Sequence, residues 1–303
     1  MKRSNDIYIN RINRAIDYVN ANVDKNISLE ELAAVTFFST FHFHRIFVAI
    51  TGETVKNFTN RIRMEKAARL LRFSGKRISD ISLECGFSDT SSFSRLFRQY
   101  FEISPTEYKN GIEIKNSKIR KALYPVNTYH CNINEEELEN RFPVEIRAFA
   151  QRSIAYIRVT DAFREGVVLN AFKKIVDWAK EKNLFDTETI FGMSLDDPEV
   201  TPKEKYRYEV CITLPEHFNI KDIGHMQVTV LPECRYAVTK ISGDLTEVGK
   251  GINYMFDVWL TGSNYECRHL HAMEIFVDKE NICNWDHFDL EFCIPVKALK
   301  NIT

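Results

Sequence analysis

The sequence lacks a long apolar run, and this absence excludes membrane and secreted classes of protein. No stretch approaches the ~18 consecutive apolar residues of a membrane-spanning helix. Residues 1–16, MKRSNDIYINRINRAI, also lack the continuous apolar core of a signal peptide. We therefore expect a cytoplasmic protein with no membrane partner.

Paired cysteines and grouped metal ligands are also missing. The seven cysteines include no CxxC pair. Cys211, Cys267 and Cys293 have apolar neighbours, which favours buried reduced thiols over a disulfide framework. Two HxH pairs, His42/His44 and His269/His271, have no carboxylate or cysteine at ligand spacing. We expect neither a metal site nor a cofactor.

The composition is that of a folded protein, and the charge is unevenly distributed. Hydrophobic residues make up 44% and charged residues 27% of the 303 residues, enough for about two globular domains. Residues 1–123 hold 21 basic against 13 acidic residues, a charge of +8, whereas residues 124–303 hold 20 against 29, a charge of −9. The first third suits a polyanion such as nucleic acid, and the remainder does not.

The first third contains an internal repeat. Residues 38–60 and 87–110 match at an offset of 50, with a one-residue shift upstream, which indicates a duplicated supersecondary unit. Each unit predicts a helix, a tight turn and a second helix. The first unit begins with the capping box Ser28-Leu29-Glu30-Glu31. The segment RIRMEKAARLLRF, residues 61–73, predicts a rigid spacer helix between two helix-turn-helix units.

These motifs resemble the AraC family of transcription activators. The matching segments are SLEELAAVTFFSTFHFHRIFVAITG, RIRMEKAARLL and ISDISLECGFSDTSSFSRLFRQYFEISPTEY, about 110 residues in order. The resemblance implies an all-α domain that binds double-stranded promoter DNA, and RNA polymerase as a further partner.

The family's base-reading positions fall on the polar faces of the second helices. They correspond to Phe41, His44 and Arg45 in the first unit, and to Thr90, Ser91, Ser94 and Arg95 in the second. Arginine pairs with guanine in two hydrogen bonds, and phenylalanine packs on a thymine methyl. Thr40, Arg98 and Lys109 are expected to contact phosphates, which fix register. Surface side chains with no partner are the alternative for each position.

Two DNA-reading helices, one in each helix-turn-helix unit, are sufficient for DNA binding by a monomer. Successive major-groove segments lie about one helical turn (~34 Å) apart, so one chain reads an asymmetric site without a dimer's palindrome. We also expect some bending of the DNA, if the spacer helix holds the readers out of phase.

The acidic part of the chain is repeated too. From Phe142, the order strand, strand, helix, strand, strand recurs at an offset of 82, with identities that include Glu209/Glu291 and Cys211/Cys293. Two copies of a ββαββ unit predict an α+β domain with an antiparallel sheet, helices on one side and a ligand cleft between the halves. Glu274 breaks the repeat, because the first copy has Gly192 there. An ionised carboxylate is costly to bury unpaired, so Glu274 is either a ligand anchor or a residue of an exposed strand face.

Residues 142–299 resemble the GyrI-like small-molecule-binding domain of Rob-like regulators, on strand order and on the segments AMEIFVD and DLEFCIPV. The resemblance implies a lipophilic, often cationic ligand held by a buried Glu among aromatic rings. Glu274 matches that Glu best, and Glu291 is the second choice. The expected aromatic cage is Tyr156, Trp178, Tyr208 and Phe276.

The sequence therefore predicts a DNA-binding transcription regulator, an activator, that responds to a small hydrophobic or cationic effector. The expected domains are residues 1–111 for DNA binding, 112–141 as a linker and 142–303 for effector binding. Two alternatives stay open. The second domain is a protein-interaction module without a ligand, or a GyrI-like hydrolase in which Glu274 activates water beside a tyrosine. We expect no enzymatic activity.

Overall fold

Residues 2–111, 135–196, 201–224, 226–268 and 270–299 are described by the computed structural model. The chain divides into two compact units, residues 1–117 and 118–303. Most of the expected linker, residues 112–134, lies outside the described residues.

The first unit is helical, as expected. Its helices are α1 (Lys2–Ala21), α2 (Leu29–Thr36), α3 (Thr40–Thr51), α4 (Val55–Phe73), α5 (Ile78–Glu84), α6 (Thr90–Phe101) and α7 (Pro105–Lys109). The pairs α2–α3 and α5–α6 form the two helix-turn-helix units, and α4 joins them. The spacer helix begins six residues earlier than the pattern 61–73 predicts, because Thr54 caps it. Helix α1 was not part of the sequence-based expectation.

Hydrogen bonds at the helix starts explain these boundaries. In the capping box before α2, Ser28 Oγ accepts from Glu31 N at 3.1 Å, and Ser28 N donates to the Glu31 carboxylate at 2.8 Å. A second capping box, between Ser104 and Glu107, starts α7 with Pro105 at its first position. Both boxes satisfy amides that have no partner within the helix.

The two helix-turn-helix turns use different residues at the same backbone conformation. In the second turn, Gly86 has φ +78°, and an added Cβ would lie 2.8 Å from Asp24 O. In the first turn, Phe37 has φ +56° and is 71% exposed. The left-handed region favours glycine, so the first turn holds a strained residue where the second has an unstrained one.

A buried ion-pair network fixes α4 within the first unit. The Arg61 guanidinium donates to Glu53 at 2.9 Å and to Glu65 at 2.8 Å, and all three side chains are buried. The Arg61 guanidinium also lies 5.0 Å from the ring centre of Phe58. Charges buried in this way require mutual pairing.

The second unit is an α+β domain built on one antiparallel sheet. Its elements, besides two short 3-10 turns, are α8 (Glu135–Arg141), β1 (Val144–Phe149), β2 (Arg152–Thr160), α9 (Val167–Glu181), β3 (Ile190–Ser194), β4 (Arg207–Thr213), β5 (Gln227–Leu231), β6 (Cys234–Gly243), α10 (Leu245–Asn253), a π-helix (Tyr254–Trp259), α11 (Leu260–Gly262), β7 (Tyr265–Cys267), β8 (Met273–Phe276) and β9 (Phe288–Ala298). The duplicated ββαββ order is confirmed, with β7 as an addition.

The two copies exchange their first strands, which the sequence pattern did not predict. The strand order is β1-β6-β9-β8-β3-β4-β2-β5, and β7 also pairs with β9. Strand β1 therefore pairs with β6 of the second copy, and β5 pairs with β2 of the first. The exchange ties the two halves into one sheet.

Side chains alternate between the two faces of this sheet. We call the face that contains Tyr208 and Glu274 the helix-covered face, because Phe172 of α9 and Gly251 of α10 pack against it. The Phe172 ring lies 6.4 Å from that of Tyr208, and a Cβ on Gly251 would lie 2.4 Å from Ile241. The other face, with Tyr156 and Cys211, is the opposite face.

The cysteines of the described part of the chain are free thiols. Cys211 and Cys293 are buried, as expected, and burial raises the pKa of each thiol. The expectation of burial is wrong for Cys267, which is half-buried in β7.

Within the described ranges, no single helix is both long and apolar enough to cross a membrane. Helices α2 and α3, bent by 83° at their junction, meet the criteria of length and composition only when they are taken together.

Candidate functional site

The second helix of each helix-turn-helix unit buries one side and exposes the other. Helix α3 buries Phe43 and Phe47, and α6 buries Phe93, Phe97 and Phe101. These rings pack edge to face or tilted, as with Phe97 and Phe101 at 4.6 Å. Aromatic packing of this kind fixes the rotation of each helix about its axis.

The expected base-reading residues lie on the exposed sides of these helices. Those with exposed side chains are Phe41, His44, Arg45, Thr90, Ser91 and Arg95, and Ser94 is half-buried. Phe41 is 68% exposed, and the Arg45 guanidinium lies 5.7 Å from its ring centre. Neither Arg45 nor Arg95 forms an ion pair with any of the described residues, so both guanidinium groups are free to meet an anion.

Hydrogen bonds at the helix starts position these faces. Asp89 accepts from Ser92 N at 2.7 Å at the start of α6, and this bond lowers the pKa of the Asp89 carboxyl. Ser39 accepts from His42 N at 3.4 Å at the start of α3. Lys109, an expected phosphate contact, donates to the Lys76 carbonyl at 2.5 Å. Tyr100 of α6 is 38% exposed and donates to Asn57 O at 3.4 Å.

In the second unit, Glu274 lies at the centre of the sheet. Its strand, β8, pairs with β3 on one side and β9 on the other, so that Glu274 is opposite Gly192 and Phe292. Glu274 and Gly192 are 82 residues apart, which is the repeat offset. Because the equivalent residues pair with each other, the pseudo-twofold axis passes between them.

The missing side chain of Gly192 lets Tyr208 reach Glu274. Tyr208 projects from β4, on the far side of β3, and its phenol donates to Glu274 Oε2 at 2.5 Å. A Cβ on Gly192 would lie 1.6 Å from Tyr208 Oη. No side chain larger than hydrogen fits beneath the phenol.

The surroundings of Glu274 make its charge costly. Burial raises the pKa of the Glu274 carboxyl, and the hydrogen bond from Tyr208 opposes that shift. Burial and the neighbouring Glu274 raise the pKa of the Tyr208 phenol. The residue keeps some exposed surface. No cation among the described residues lies within ion-pair distance of its carboxylate, so the charge has one phenol as its stabilising partner.

Aromatic rings from both halves lie on the same face of the sheet as this carboxylate. Phe276 is on the helix-covered face two residues after Glu274, and Phe172 of α9 packs on it at 4.9 Å. From the second half, Phe256 of the π-helix lies 6.1 Å from Phe292, the strand neighbour of Glu274. The sequence-based set did not include Phe172, Phe256 or Phe292. Of these three, only Phe172 had a sequence pattern that indicated burial, because it lies on the apolar face of its predicted helix.

One member of the expected aromatic cage, Tyr156, lies on the other face of the sheet from Glu274, and another, Trp178, contacts different residues. Tyr156 pairs with Cys211 on the opposite face, where its phenol donates to Gln227 at 2.6 Å. It therefore lies across the sheet from Glu274. Trp178 packs at 5.6 Å on Phe218 and donates to Asp222 O at 3.4 Å. The structure brings Tyr208 and Phe276 to Glu274, but not Tyr156.

The second-choice acid, Glu291, has its own cation. It accepts from Arg147 at 2.6 Å, and its repeat partner Glu209 accepts from Arg158 at 2.8 Å. Both glutamates lie on the opposite face and both are neutralised. Glu274 is the better candidate for a ligand's positive charge. In the described part of the chain, no group of three or more His, Cys, Asp or Glu side chains is arranged to hold a metal ion.

Comparison with known proteins agrees with both parts of this description. The family model of the GyrI-like small molecule binding domain matches residues 142–297, and a helix-turn-helix domain model matches residues 32–111. The first of these covers about half of the chain.

Curated relatives match over the first unit. The lactose operon transcription activator of Staphylococcus xylosus is 34% identical over 113 residues, which are 37% of this chain and 40% of that protein. The transcriptional activator RhaS of Klebsiella pneumoniae is 37% identical over 101 residues, 33% of this chain and 36% of that protein. The chain thus spans about two fifths of the length of these relatives. An AraC-type regulator structure from Chromobacterium violaceum is 28% identical over 33% of this chain and 89% of that one, with a TM-score of 0.32.

Proposed function

The chain belongs to the GyrI-like family of small-molecule-binding domains and carries an AraC-type helix-turn-helix domain, and from this premise we propose that it is an effector-responsive transcription activator. The first unit binds promoter DNA through α3 and α6. The second binds a lipophilic cation at Glu274. The observation that carries the effector proposal is the Glu274 carboxylate, which accepts a hydrogen bond from one phenol and shares its face of the sheet with Phe276, on which Phe172 packs.

The DNA proposal rests on the two exposed arginines. Arg45 and Arg95 are repeat equivalents on exposed helix faces, and neither is bound to a carboxylate among the described residues. One chain presents both readers, so a monomer is sufficient for an asymmetric site. Activators act on RNA polymerase, which is the proposed protein partner. The relatives named as transcription activators support the sign of the effect.

The effector proposal follows from electrostatics. A hydrated cation gains little from an exposed carboxylate, because water screens the pair. A diffuse organic cation is weakly hydrated, so it loses little water on entering an aromatic site, and it gains both charge pairing and cation–π contact. Glu274 with Phe172, Phe276 and the Tyr208 ring supplies these contacts.

A paired thermal-shift screen of the full chain tests the effector proposal. Each lipophilic cation is compared with a neutral analogue of the same shape, in the wild type and in Glu274→Gln. A ligand at a hundredfold excess over its Kd adds about 2.7 kcal/mol of stability to the unit that binds it. Cation-selective shifts that disappear in Glu274→Gln are expected. If no cation shifts a folded protein, the second unit is a protein-interaction module instead.

Selection from a random duplex library tests the DNA proposal separately. A defined binding site for the wild-type chain is expected, and Arg95→Ala and Arg45→Ala should each relax the preference at one position. Binding without any sequence preference would contradict it.

A further inference from the structure

Strands β1, β2 and β4 carry four arginines on the opposite face of the sheet, and not all of them have acidic partners among the described residues. Three of them pair with carboxylates: Arg147 with Glu291 at 2.6 Å, Arg158 with Glu209 at 2.8 Å and Arg207 with Asp196 at 2.9 Å. Arg152, the first residue of β2, has no carboxylate partner among the described residues. The residue equivalent to Arg152 in the second copy of the repeat is Cys234.

The guanidinium of Arg152 contacts two aromatic rings and a thioether, none of which accepts a strong hydrogen bond. Its guanidinium lies 4.6 Å from the ring centre of Phe149 and 5.9 Å from that of Phe191. Its Nη2 contacts Met273 Sδ at 3.7 Å, and its buried Nε has no hydrogen-bond partner. Burial lowers the pKa of this guanidinium. Cation–π contact offsets part of this cost, but the N–H groups remain in need of an acceptor.

A second arginine, Arg268, lies near Arg152 on the same face of the sheet, in the segment that follows β7. Arg268 follows β7, and its backbone N donates to Pro295 O at 2.8 Å, directly beside Tyr236 in the sheet. Arg268 and Arg152 both lower the pKa of the Tyr236 phenol against the larger raising effect of burial. Arg268 Nη1 meets the backbone carbonyl of Glu233 at 3.5 Å, and its side chain has no carboxylate partner among the described residues.

Apolar side chains border these two cations. Phe149, Leu231 and Leu270 are half-buried and pack against the buried cluster of the opposite face, which includes Tyr236 and Met273. Phe149 meets the Tyr236 ring edge-on at 5.3 Å. The place therefore combines two cations and a phenol with an apolar border that keeps some contact with solvent.

We propose that Arg152, Arg268 and Tyr236 form a second ligand site, on the opposite face, for an amphiphilic carboxylate. The carboxylate accepts hydrogen bonds from the two guanidinium groups and from the Tyr236 phenol. Its apolar body packs on Phe149, Leu231 and Leu270. This site has the opposite charge preference to Glu274 and lies across the sheet from it, so the domain accepts two ligand classes at two places.

The charge pattern favours a carboxylate over a neutral compound. A buried N–H without an acceptor destabilises the fold, and an incoming oxygen removes that cost. Charge-assisted hydrogen bonds from arginine are about twice as strong as neutral ones. An amide of the same shape offers one weaker acceptor and two donors that would face the cations.

The test is calorimetric titration of the full chain with naphthoate, and with naphthamide as the uncharged match. Five proteins are compared: wild type, Arg152→Gln, Arg268→Gln, Arg164→Gln and Glu274→Gln. Arg164 is an exposed arginine near Asp161, so its variant removes the same charge from elsewhere on the domain. Arg268 is exposed, so its variant keeps the test valid if Arg152→Gln fails to fold.

We expect naphthoate to bind the wild type, and its Kd to rise about tenfold in Arg152→Gln and severalfold in Arg268→Gln. Arg164→Gln and Glu274→Gln should bind it as the wild type does, and naphthamide should bind at least tenfold more weakly. The proposal is overturned if naphthoate does not bind, if acid and amide bind equally, or if both arginine variants retain full affinity. Tighter naphthoate binding in Glu274→Gln would place the ligand beside Glu274, because the variant removes a like charge there, and would also overturn the proposal.

Discussion

Tyr208 and Glu274 are joined by a 2.5 Å hydrogen bond that passes over Gly192. The phenol comes from β4 and the carboxylate from β8, and β3 lies between them. The two copies therefore differ at the pseudo-twofold axis: the second copy supplies the acid, Glu274, and the first supplies its hydrogen-bond donor, Tyr208. A cation that replaces or joins this donor would contact both halves of the domain at once.

The close approach at Gly192 makes it intolerant of a methyl group. In Gly192→Ala the new Cβ would have to displace the Tyr208 side chain, because it would lie 1.6 Å from the phenol oxygen. We expect a loss of about 1–3 kcal/mol in stability, as for overpacked cores, together with loss of the bond to Glu274. Urea unfolding followed by tryptophan fluorescence measures this in the full chain, since Trp178, Trp259 and Trp285 all lie in the second unit.

The matched control is Gly262→Ala, because a Cβ at Gly262 meets no atom within 4 Å. Its unfolding curve should be close to that of the wild type. Equal stability of Gly192→Ala and Gly262→Ala would show that Tyr208 does not lie over Gly192.

The raised pKa of Glu274 makes the stability of the second unit depend on pH. Because the folded state holds this proton more tightly than the unfolded state, its stabilising contribution is present at low pH and is lost as the pH rises through the raised pKa. Glu274→Gln keeps an acceptor for Tyr208 and has no charge. The variant should therefore unfold a few degrees higher than the wild type at neutral pH and at about the same temperature in acid. A variant that is less stable at neutral pH would mean that the ionised carboxylate already has a compensating partner.

The ion-pair network of the first unit gives a large predicted effect. Arg61→Leu removes the Arg61 guanidinium from the buried Glu53 and Glu65, and loss of one partner from a buried pair costs about 3–5 kcal/mol. Lys76→Ala removes a partner from the half-exposed pair with Glu84, where about 1 kcal/mol or less is expected. The helical circular-dichroism signal during urea unfolding compares the two. Similar losses in both variants would contradict the burial of the network.

Substitutions at the two helix-turn-helix turns should change the stability of the first unit in opposite directions. Phe37→Gly relieves a left-handed conformation at an exposed position, and about 1 kcal/mol of stabilisation is expected at most. Gly86→Ala places a Cβ 2.8 Å from Asp24 O and should destabilise by more than that. Thermal unfolding of the two variants measures both, and a destabilised Phe37→Gly would indicate that the Phe37 side chain has a packing role.

DNA affinity should depend on which arginine is removed. Arg95→Ala is expected to weaken specific binding by about 1–3 kcal/mol and to reduce its salt dependence. Arg14→Ala removes another exposed charge, from α1, and should have little effect. Fluorescence anisotropy with the selected duplex at two salt concentrations makes the comparison. If both variants lose equally, α6 is not the reading helix.

The sequence predicted those features that local patterns determine. The helix-turn-helix units follow from capping residues and apolar spacing, and the ββαββ order follows from strand alternation at a constant offset. Glu274 was found because it breaks the repeat. The face of Tyr156 was not predictable, since it depends on pairing with Cys211 in β4. The strand exchange of β1 and β5 also depends on long-range pairing, as does the convergence of Arg152 and Arg268, and a local pattern contains no information about either.

The most direct test of the central claim is the affinity of the full chain for tetraphenylphosphonium, measured by calorimetry between about pH 5 and about pH 8, in the wild type and in Glu274→Gln. A cation prefers the ionised carboxylate, so wild-type affinity should increase with pH until Glu274 is fully ionised. Glu274→Gln should bind at least tenfold more weakly, a loss of about 1.4 kcal/mol or more, and its affinity should not change with pH. Equal affinity and equal pH dependence in the two proteins would show that Glu274 is not the anchor of a cationic effector.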